Sequence, residues 1–221
     1  MKFTHTPLRF ADHTLHLVAF EPDTFHDRDL LWLPHHVQLA HAGRKRKAEH
    51  LAGRIAAVYA LREVGHKQVP EIGEQRQPLW PDGLSGSISH SATTALAVVS
   101  RQPVGIDIET LFTPQTAIEV CSSLVDQDEE QILRACALPF PLALTLAFSA
   151  KESVFKALSR WALSRPGFAS AKVTALTATQ LTLRLLPEFS PNFAHHEVNV
   201  FWMRLQDAVI TLFPPPCTEQ R

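Results

Sequence analysis

The stretch VGIDIE, residues 104–109, alternates apolar side chains with two carboxylates. A period of two predicts a β-strand in which Ile106 and Ile108 anchor one face, while Asp107 and Glu109 share the other. Carboxylate oxygens are the protein ligands that Mg²⁺ prefers. A solvated strand end would show the same alternation, so this stretch alone leaves both interpretations open.

The rest of the chain predicts strands and helices in mixed order. Predicted strands cover 14–20, 94–100, 104–109, 180–186, 197–205 and 208–213, and predicted helices cover about 41–65, 126–136 and 142–163. Gly65 is expected to stop the first of these helices, and Pro166 with Gly167 the last. The proline- and glycine-rich stretch 76–86 predicts a loop. We expect strands 94–100 and 104–109 to form a hairpin, within an α+β fold rather than a parallel doubly wound sheet.

Composition limits the classes of function. The 221 residues are 45% hydrophobic, enough for a buried core, and the net charge of −1 means that any anion-binding surface is local. Three cysteines without CxxC spacing argue against a disulfide framework or a zinc cluster and fit a reducing cytosol. The N-terminus does not resemble a signal peptide, and the longest apolar run, 138–150, is too short to span a bilayer. Residues 214–221 predict an unstructured tail.

Three further groups could take part in chemistry. Glu152 and Lys156 are four residues apart on a predicted helix, as in an ordinary exposed ion pair or in the lining of a cleft. A basic run, Arg44 to Lys47, with Arg54 two turns later, suits a solvated face, a nucleic-acid patch or a phosphate site. His90 lies between two serines after a glycine turn, where backbone N–H groups could bind an anion. Together these groups suggest a divalent metal, a diphosphate and a further phosphate.

Three motifs occur in a characteristic order: GSISHS at 86–91, VGIDIE at 104–109 and FSAKESVFK at 148–156. They resemble the three motifs of the 4'-phosphopantetheinyl transferases of the large, monomeric Sfp-like class. The basic run followed by HLAGRIAAVYALREVG, 50–65, is similar to the enterobactin-synthase branch of that family. The resemblance extends over roughly residues 30–160.

The resemblance implies a fold and a reaction. The fold would be two similar α/β subdomains, 1–104 and 105–213, related by a pseudo-twofold axis, with coenzyme A in the cleft between them. The chain would be a monomeric, magnesium-dependent enzyme that moves the phosphopantetheine arm of coenzyme A onto a serine of an apo carrier protein and releases 3',5'-ADP. The branch implies aryl and peptidyl carrier domains of siderophore non-ribosomal synthesis, in the cytoplasm or at the inner face of the inner membrane.

The resemblance also implies residue roles. Magnesium ligands would be Asp107, Glu109 and Glu152; Glu152, directly or through a water, would accept the serine proton, and Lys156 would hold the phosphates. Coenzyme A would be bound by His90 with Ser89 at the 3'-phosphate, by Asp107 through the metal, and by a basic group made of Arg44, Arg46, Lys47 and Arg54.

Two positions depart from the family pattern. Many relatives carry Gly-Lys-Pro where this chain has Arg76-Gln77-Pro78, so the usual lysine is absent and Arg76 is the candidate to supply the charge. Some relatives place a third acid between the two carboxylates of the strand. Ile108 contributes no oxygen there, so water would complete the metal shell.

Two other functions remain open from the residues. A metal-dependent phosphodiesterase or nuclease would use the same carboxylates with water as nucleophile. A non-enzymatic nucleic-acid binder would use the basic run, but the near-neutral charge and the lack of aromatic residues interleaved with basic ones argue against it.

Overall fold

The computed structural model describes residues 1–162 and 167–214. The chain divides into two compact units, Met1–Pro103 and Val104–Arg221, and each contains a β-sheet with helices packed on it. This arrangement confirms the predicted α+β class. The subdomain limits 1–104 and 105–213 stay a prediction, and the predicted tail, from residue 215 onward, lies outside the described residues.

The N-terminal unit is built on a four-stranded antiparallel sheet with one long helix. In chain order its elements are β1 (Phe3–Phe10), β2 (His13–Phe20), α1 (Arg44–Glu63), β3 (Glu71–Ile72), β4 (Pro78–Leu79), β5 (Ser85–Ser91) and β6 (Thr94–Ser100). The sheet order is β1-β2-β6-β5, and β3 pairs with β4. The stretch 76–86, predicted as a loop, contains β4 and the start of β5. Buried alanines along α1 let the helix lie close to β2 and β6.

Helix α1 ends where the sequence predicts it. Gly65 has a φ of +87°, and its N–H bonds to the carbonyl oxygen of Arg62. A residue without Cβ adopts this left-handed conformation at little cost, so glycine is the usual residue just past a helix end.

The C-terminal unit is built on a five-stranded antiparallel sheet ordered β7-β11-β10-β9-β8. Its elements are β7 (Gly105–Thr110), α2 (Pro114–Leu124), α3 (Gln127–Ala135), α4 (Phe140–Leu158), β8 (Ala171–Leu176), β9 (Gln180–Leu185), β10 (Glu197–Leu205) and β11 (Ala208–Phe213). Helix α4 packs across β7 and β11, and its apolar residues join those of the sheet in one core. Among the described residues, none of the helices has the length and apolar character needed to cross a membrane.

The predicted hairpin between 94–100 and 104–109 is wrong. Strand β6 pairs with β5 through the tight turn at Ala92 and Thr93, whereas β7 pairs with β11, placing Ile108 opposite Ile210. The stretch 85–91 before β6 is itself a strand, β5. It pairs with one edge of β6 and β2 pairs with the other, so no edge of β6 is left for a hairpin with β7. The short connection at 101–104 carries the chain from one sheet into the other.

The long helix is also shorter than predicted. The α-helix ends at Leu158, and one 3₁₀ turn follows it as far as Trp161. The predicted end of the helix at Pro166 and Gly167 is therefore wrong. Residues 163–166 lie outside the described residues. Two polar residues of this helix, Thr145 and Ser149, are fully buried.

Gly105 is expected to be required for the packing of α4 on β7. A Cβ at this position would lie 1.8 Å from the carbonyl oxygen of Ser153, so the helix backbone would have to move. Gly105→Ala should lower the free energy of unfolding by about 1–3 kcal/mol, as overpacking of a close contact does. Urea unfolding measures this, with Gly167→Ala as the control, because a Cβ there meets no atom within 4 Å. Equal losses in both variants would contradict the packing argument.

Candidate active site

Strand β7 and helix α4 together position one acidic group. Asp107 is 2% exposed and accepts hydrogen bonds from Ser149 Oγ (2.7 Å to Oδ2) and from Lys156 Nζ (2.6 Å to Oδ1). Ser149 and Lys156 are seven residues apart, so both lie on the side of α4 that faces the strand. The carboxylate of Asp107 is therefore held in a fixed orientation by two donors from one helix.

A layer of hydroxyl groups lies behind this carboxylate. Thr211 of β11 is the cross-strand neighbour of Asp107, and its Oγ1 lies 2.8 Å from Ser149 Oγ and 2.7 Å from Ser153 Oγ. Ser153 Oγ also lies 3.1 Å from the carbonyl oxygen of Thr211. Because these hydroxyls are buried and bonded to each other, they fix the helix against both strands.

The carboxylates influence one another electrostatically. Burial, then the negative charge of Asp107, raises the pKa of Glu109 to about 7; Lys156 opposes the shift and Glu152 adds to it. Burial also raises the pKa of Glu152, with Lys156 opposing and Asp107 adding to the shift. Asp107 and Glu109 on β7 and Glu152 on α4 therefore lie close enough to one another and to the ammonium group of Lys156 to shift pKa values.

The donor set fits a divalent cation by its chemistry. Among residues 1–162 and 167–214, no three His, Cys, Asp or Glu side chains already form a complete metal cage. Mg²⁺, however, is normally bound through one or two carboxylates, with water and substrate phosphates filling the shell. The orientation of Asp107 and the mutual repulsion of the three acids match that mode of binding.

The N-terminal unit holds a basic group on α1 and β5. Arg46 donates a hydrogen bond to Nε2 of His90 over 3.0 Å, and Glu49 Oε2 lies 3.8 Å from Nδ1 of the same ring. Arg54 is 5% exposed and donates to the carbonyl oxygen of Glu71, but its Nε has no hydrogen-bond partner among the described protein atoms. Burial, then Arg46, lowers the pKa of Arg54 to about 10. A buried cation with an unsatisfied donor is well suited to an anion.

The other predicted basic residues have different surroundings. Arg44 donates to the carbonyl oxygen of Asp23, and Lys47 pairs with Asp27 at 3.1 Å, so both bind the 3₁₀ segments between β2 and α1. Arg76 is exposed in the turn between β3 and β4, with a φ of +64°. Ser89 is buried in β5, directly before His90. The structure brings Arg46 and His90 together and directs Arg44 and Lys47 elsewhere.

Several residues of these two groups were not predicted. Ser149 could have been found, because it shares a helix face with Ser153 and Lys156. Thr211 could not, since only the pairing of β7 with β11 brings it to Asp107. His35 and His50, whose Nε2 atoms are 2.8 Å apart, are separated by 15 residues without a motif.

His50 gives a testable pH dependence. Burial, then the charges of Arg54, His35, Arg46 and His90, lowers its pKa from 6.5 to about 3. Between pH 6.5 and 3 the unfolded chain binds a proton at His50 that the folded chain does not. The contribution of His50 to the free energy of unfolding is therefore fully present above pH 6.5 and decreases as the pH falls below it. This residue contributes a slope of at most about 1.4 kcal/mol per pH unit.

The measurement is urea unfolding at a series of pH values between 7 and 4. His50→Gln should lose less stability than the parent protein over this range, whereas the control His41→Gln should follow the parent. Parallel curves for all three proteins would show that His50 is protonated equally in both states.

Comparisons with known proteins match both units of the chain. The 4'-phosphopantetheinyl transferase N-terminal domain matches residues 35–100, and the 4'-phosphopantetheinyl transferase superfamily matches residues 103–213. The enterobactin synthase component D of Salmonella typhimurium is 62% identical over 212 residues, covering 96% of this chain and 90% of the relative. That of Escherichia coli K12 is 67% identical over 157 residues, covering 71% and 76%. A 4'-phosphopantetheinyl transferase of Mycobacterium tuberculosis is 32% identical over 146 residues, covering 62% and 61%.

The second of these matches covers half of the chain, and the Salmonella relative covers nearly all of it. Both motif-bearing units are included, with Arg46 and His90 in the first match and Asp107, Glu152 and Lys156 in the second. The chain therefore belongs to the 4'-phosphopantetheinyl transferase superfamily.

Proposed function

We propose that this enzyme transfers the 4'-phosphopantetheine arm of coenzyme A to a serine of apo aryl and peptidyl carrier domains and releases 3',5'-ADP, and that these carriers serve enterobactin-type siderophore synthesis. The observation that carries the proposal is the 62% identity, over 96% of the chain, to a relative named enterobactin synthase component D. The acidic and basic residue groups supply the chemistry that such a transfer needs.

The acidic group would hold Mg²⁺ through Asp107, Glu109 and Glu152. When bound, the ion would neutralise the diphosphate charge that grows as the leaving group departs. Lys156 already lies at the carboxylate of Asp107 and would donate to a phosphate oxygen beside it. The same lysine would stabilise the negative charge of the departing 3',5'-ADP.

Glu152 would accept the proton of the carrier serine. Its partial burial favours the protonated carboxyl and so makes the carboxylate a stronger base than a solvated glutamate. The serine oxygen would then attack the β-phosphorus of coenzyme A, and the bond from that phosphorus to the bridging oxygen would break. The phosphopantetheine arm would leave on the carrier, and Glu152 would release its proton to solvent.

The basic group would bind the nucleotide end of coenzyme A. Arg46, His90 and Arg54 would contact the 3'-phosphate, since Arg46 and His90 are bonded to each other and Arg54 has an unsatisfied buried donor. Ser89 would orient His90 from the same strand. Arg44, Lys47 and Arg76 would supply longer-range positive charge. Such charge also steers an acidic carrier toward the enzyme. We place the enzyme as a monomer in the cytoplasm or against the inner membrane.

Arg46 gives a matched test of the coenzyme A site. Arg46→Ala should raise the KM for coenzyme A about tenfold or more and lower kcat less, because it removes a charged hydrogen bond in the bound complex. Lys45→Ala is the control, since Lys45 is the residue next to Arg46, its own side chain is 84% exposed, and its Nζ lies 3.8 Å from Glu49 Oε1. Steady-state kinetics with a fixed carrier concentration give both constants. Similar KM values in the two variants would remove Arg46 from the site.

The reaction products distinguish a transferase from the alternative, a hydrolase that cleaves coenzyme A with water. The enzyme is incubated with coenzyme A and Mg²⁺, with and without an apo carrier, and 3',5'-ADP and free phosphopantetheine are measured by chromatography. We expect 3',5'-ADP only when the carrier is present, with no free phosphopantetheine. Equal release of both compounds without carrier would identify a phosphodiesterase instead.

The siderophore assignment needs a comparison of carriers. Apo aryl and peptidyl carriers of a catecholate assembly line should be modified with a higher kcat/KM than an apo acyl carrier of fatty-acid synthesis. A fatty-acid carrier that is modified equally well would overturn this part of the proposal and leave the transferase activity standing.

A further inference from the structure

The N-terminal unit contains a cavity of about 440 Å³ that none of the proposed site residues lines. One wall is the side of α1 that carries Leu51, Ile55 and Val58, which are spaced by four and three residues. The rest of the lining includes residues from the start of β1 and from the 3₁₀ segment Asp27–Trp32. This volume lies in the range of small-molecule sites, about 300–1,000 Å³.

Aromatic side chains widen the apolar surface of this cavity. Phe3, Trp32 and Tyr59 line it, and Phe3 and Trp32 are 40% and 48% exposed. The free energy falls when a ligand covers large apolar side chains that are exposed to water around a concave surface. Tyr59 is held in place by a stacked contact with His5, with the ring centroids 3.6 Å apart.

The charges of the cavity favour an anion. Arg28 and Arg62 both line it, and within the described part of the chain neither forms an ion pair with a carboxylate. Asp29 lines it as well, but its carboxylate already accepts hydrogen bonds from the Met1 amino group and the backbone N–H of His26. The lining therefore has two guanidinium groups in excess.

We propose that this cavity binds a small organic carboxylate with an apolar body. The guanidinium groups of Arg28 and Arg62 would bind the carboxylate, since the planar fork of Arg matches its two oxygens. The apolar body would lie along Leu51, Ile55 and Trp32. An inorganic anion would leave those apolar walls in water, and an uncharged molecule would leave the guanidinium groups without a counter-charge.

The test titrates the full chain with benzoate and octanoate, and with benzyl alcohol and octanol as their uncharged counterparts. Binding is followed by calorimetry and by the amide and indole signals of a ¹⁵N-labelled sample. We expect saturable one-to-one binding of at least one carboxylate, with shifts at the Trp32 indole and along α1, and at least tenfold weaker binding of its alcohol. Arg62→Gln should raise the Kd about tenfold or more, and the control Arg101→Gln should leave it unchanged.

A second variant distinguishes a loss of carboxylate binding from a loss of the folded structure. Ile55→Trp should fill the cavity and abolish carboxylate binding while urea unfolding shows a folded protein. Equal affinity for the carboxylate and its alcohol, equal binding of inorganic phosphate, unchanged affinity in Arg62→Gln, or no saturable binding of either carboxylate would each overturn the proposal. Transfer of phosphopantetheine is assayed separately on the same samples, so failure of the cavity proposal is distinct from failure of the proposed activity.

Discussion

Asp107→Asn is expected to lower phosphopantetheine transfer by at least about 1000-fold without unfolding the protein. The substitution keeps the shape of the side chain. The Asn oxygen can accept from Lys156, and the Asn amide nitrogen can donate to Ser149 Oγ, whose hydroxyl can then donate to Thr211, so β7 and α4 stay joined by hydrogen bonds. It removes the negative charge that we propose binds Mg²⁺. Loss of several kcal/mol of transition-state stabilisation by the metal corresponds to a factor of this size.

The control for this experiment is Asp207→Asn, because Asp207 lies in the turn between β10 and β11 of the same unit. Rates are measured at saturating coenzyme A and carrier over a range of Mg²⁺ concentrations, with circular dichroism to verify the fold. A rate within tenfold of the parent protein for Asp107→Asn at every Mg²⁺ concentration would remove Asp107 from the metal site. A similar loss in Asp207→Asn would show that the effect is not specific to the site.

Lys151→Met is expected to lower the free energy of unfolding by about 3–5 kcal/mol. Lys151 is fully buried, and its Nζ lies 2.7 Å from Glu129 Oε1, 2.8 Å from the carbonyl oxygen of Leu124 and 3.1 Å from that of Phe168. Burial lowers the pKa of Lys151, and the adjacent carboxylate of Glu129 opposes that shift. Removing one partner leaves the other charge buried without compensation, which costs this much in comparable pairs.

A double substitution separates the charge effect from lost packing. Lys151→Met combined with Glu129→Leu should recover part of the stability lost in the single variant, because no uncompensated charge remains. Glu129 also accepts the backbone N–H groups of Val173 and Asp126, so recovery is expected to be incomplete. Lys172→Met is the control, since Lys172 pairs with Asp126 at a partly exposed position. Equal losses for Lys151→Met and Lys172→Met would contradict the argument.

Local sequence signals predicted the elements of this fold better than their pairing. The Gly65 stop of α1, the alternation of β7 and the strands 197–205 and 208–213 all correspond to the structure. The pairing of β7 was wrong, because its partner β11 is about 100 residues further along the chain and no local pattern identifies it. Helix α2 was missed, although Thr113 caps it and Pro114 begins it.

The site shows the same division. The motifs predict Asp107, Glu152, Lys156, Arg46 and His90 as site residues, since each lies in a short recognisable stretch, and these roles stay a prediction. They assign no role to Lys151, which lies five residues before Lys156 on α4. Lys151 is a buried cation paired with Glu129, whereas Lys156 contacts Asp107. Burial decides between these roles, and burial depends on the packing of α2, α3 and the backbone at Phe168 around Lys151 rather than on the motif itself.

The most direct test of the account is the intact mass of an apo carrier domain after incubation with the enzyme, coenzyme A and Mg²⁺. We expect the carrier to gain one phosphopantetheine group on its serine, a carrier with that serine replaced by alanine to gain none, and chelation of Mg²⁺ to stop the reaction. An apo aryl or peptidyl carrier that stays unmodified under these conditions, with folded enzyme and intact coenzyme A, would contradict it.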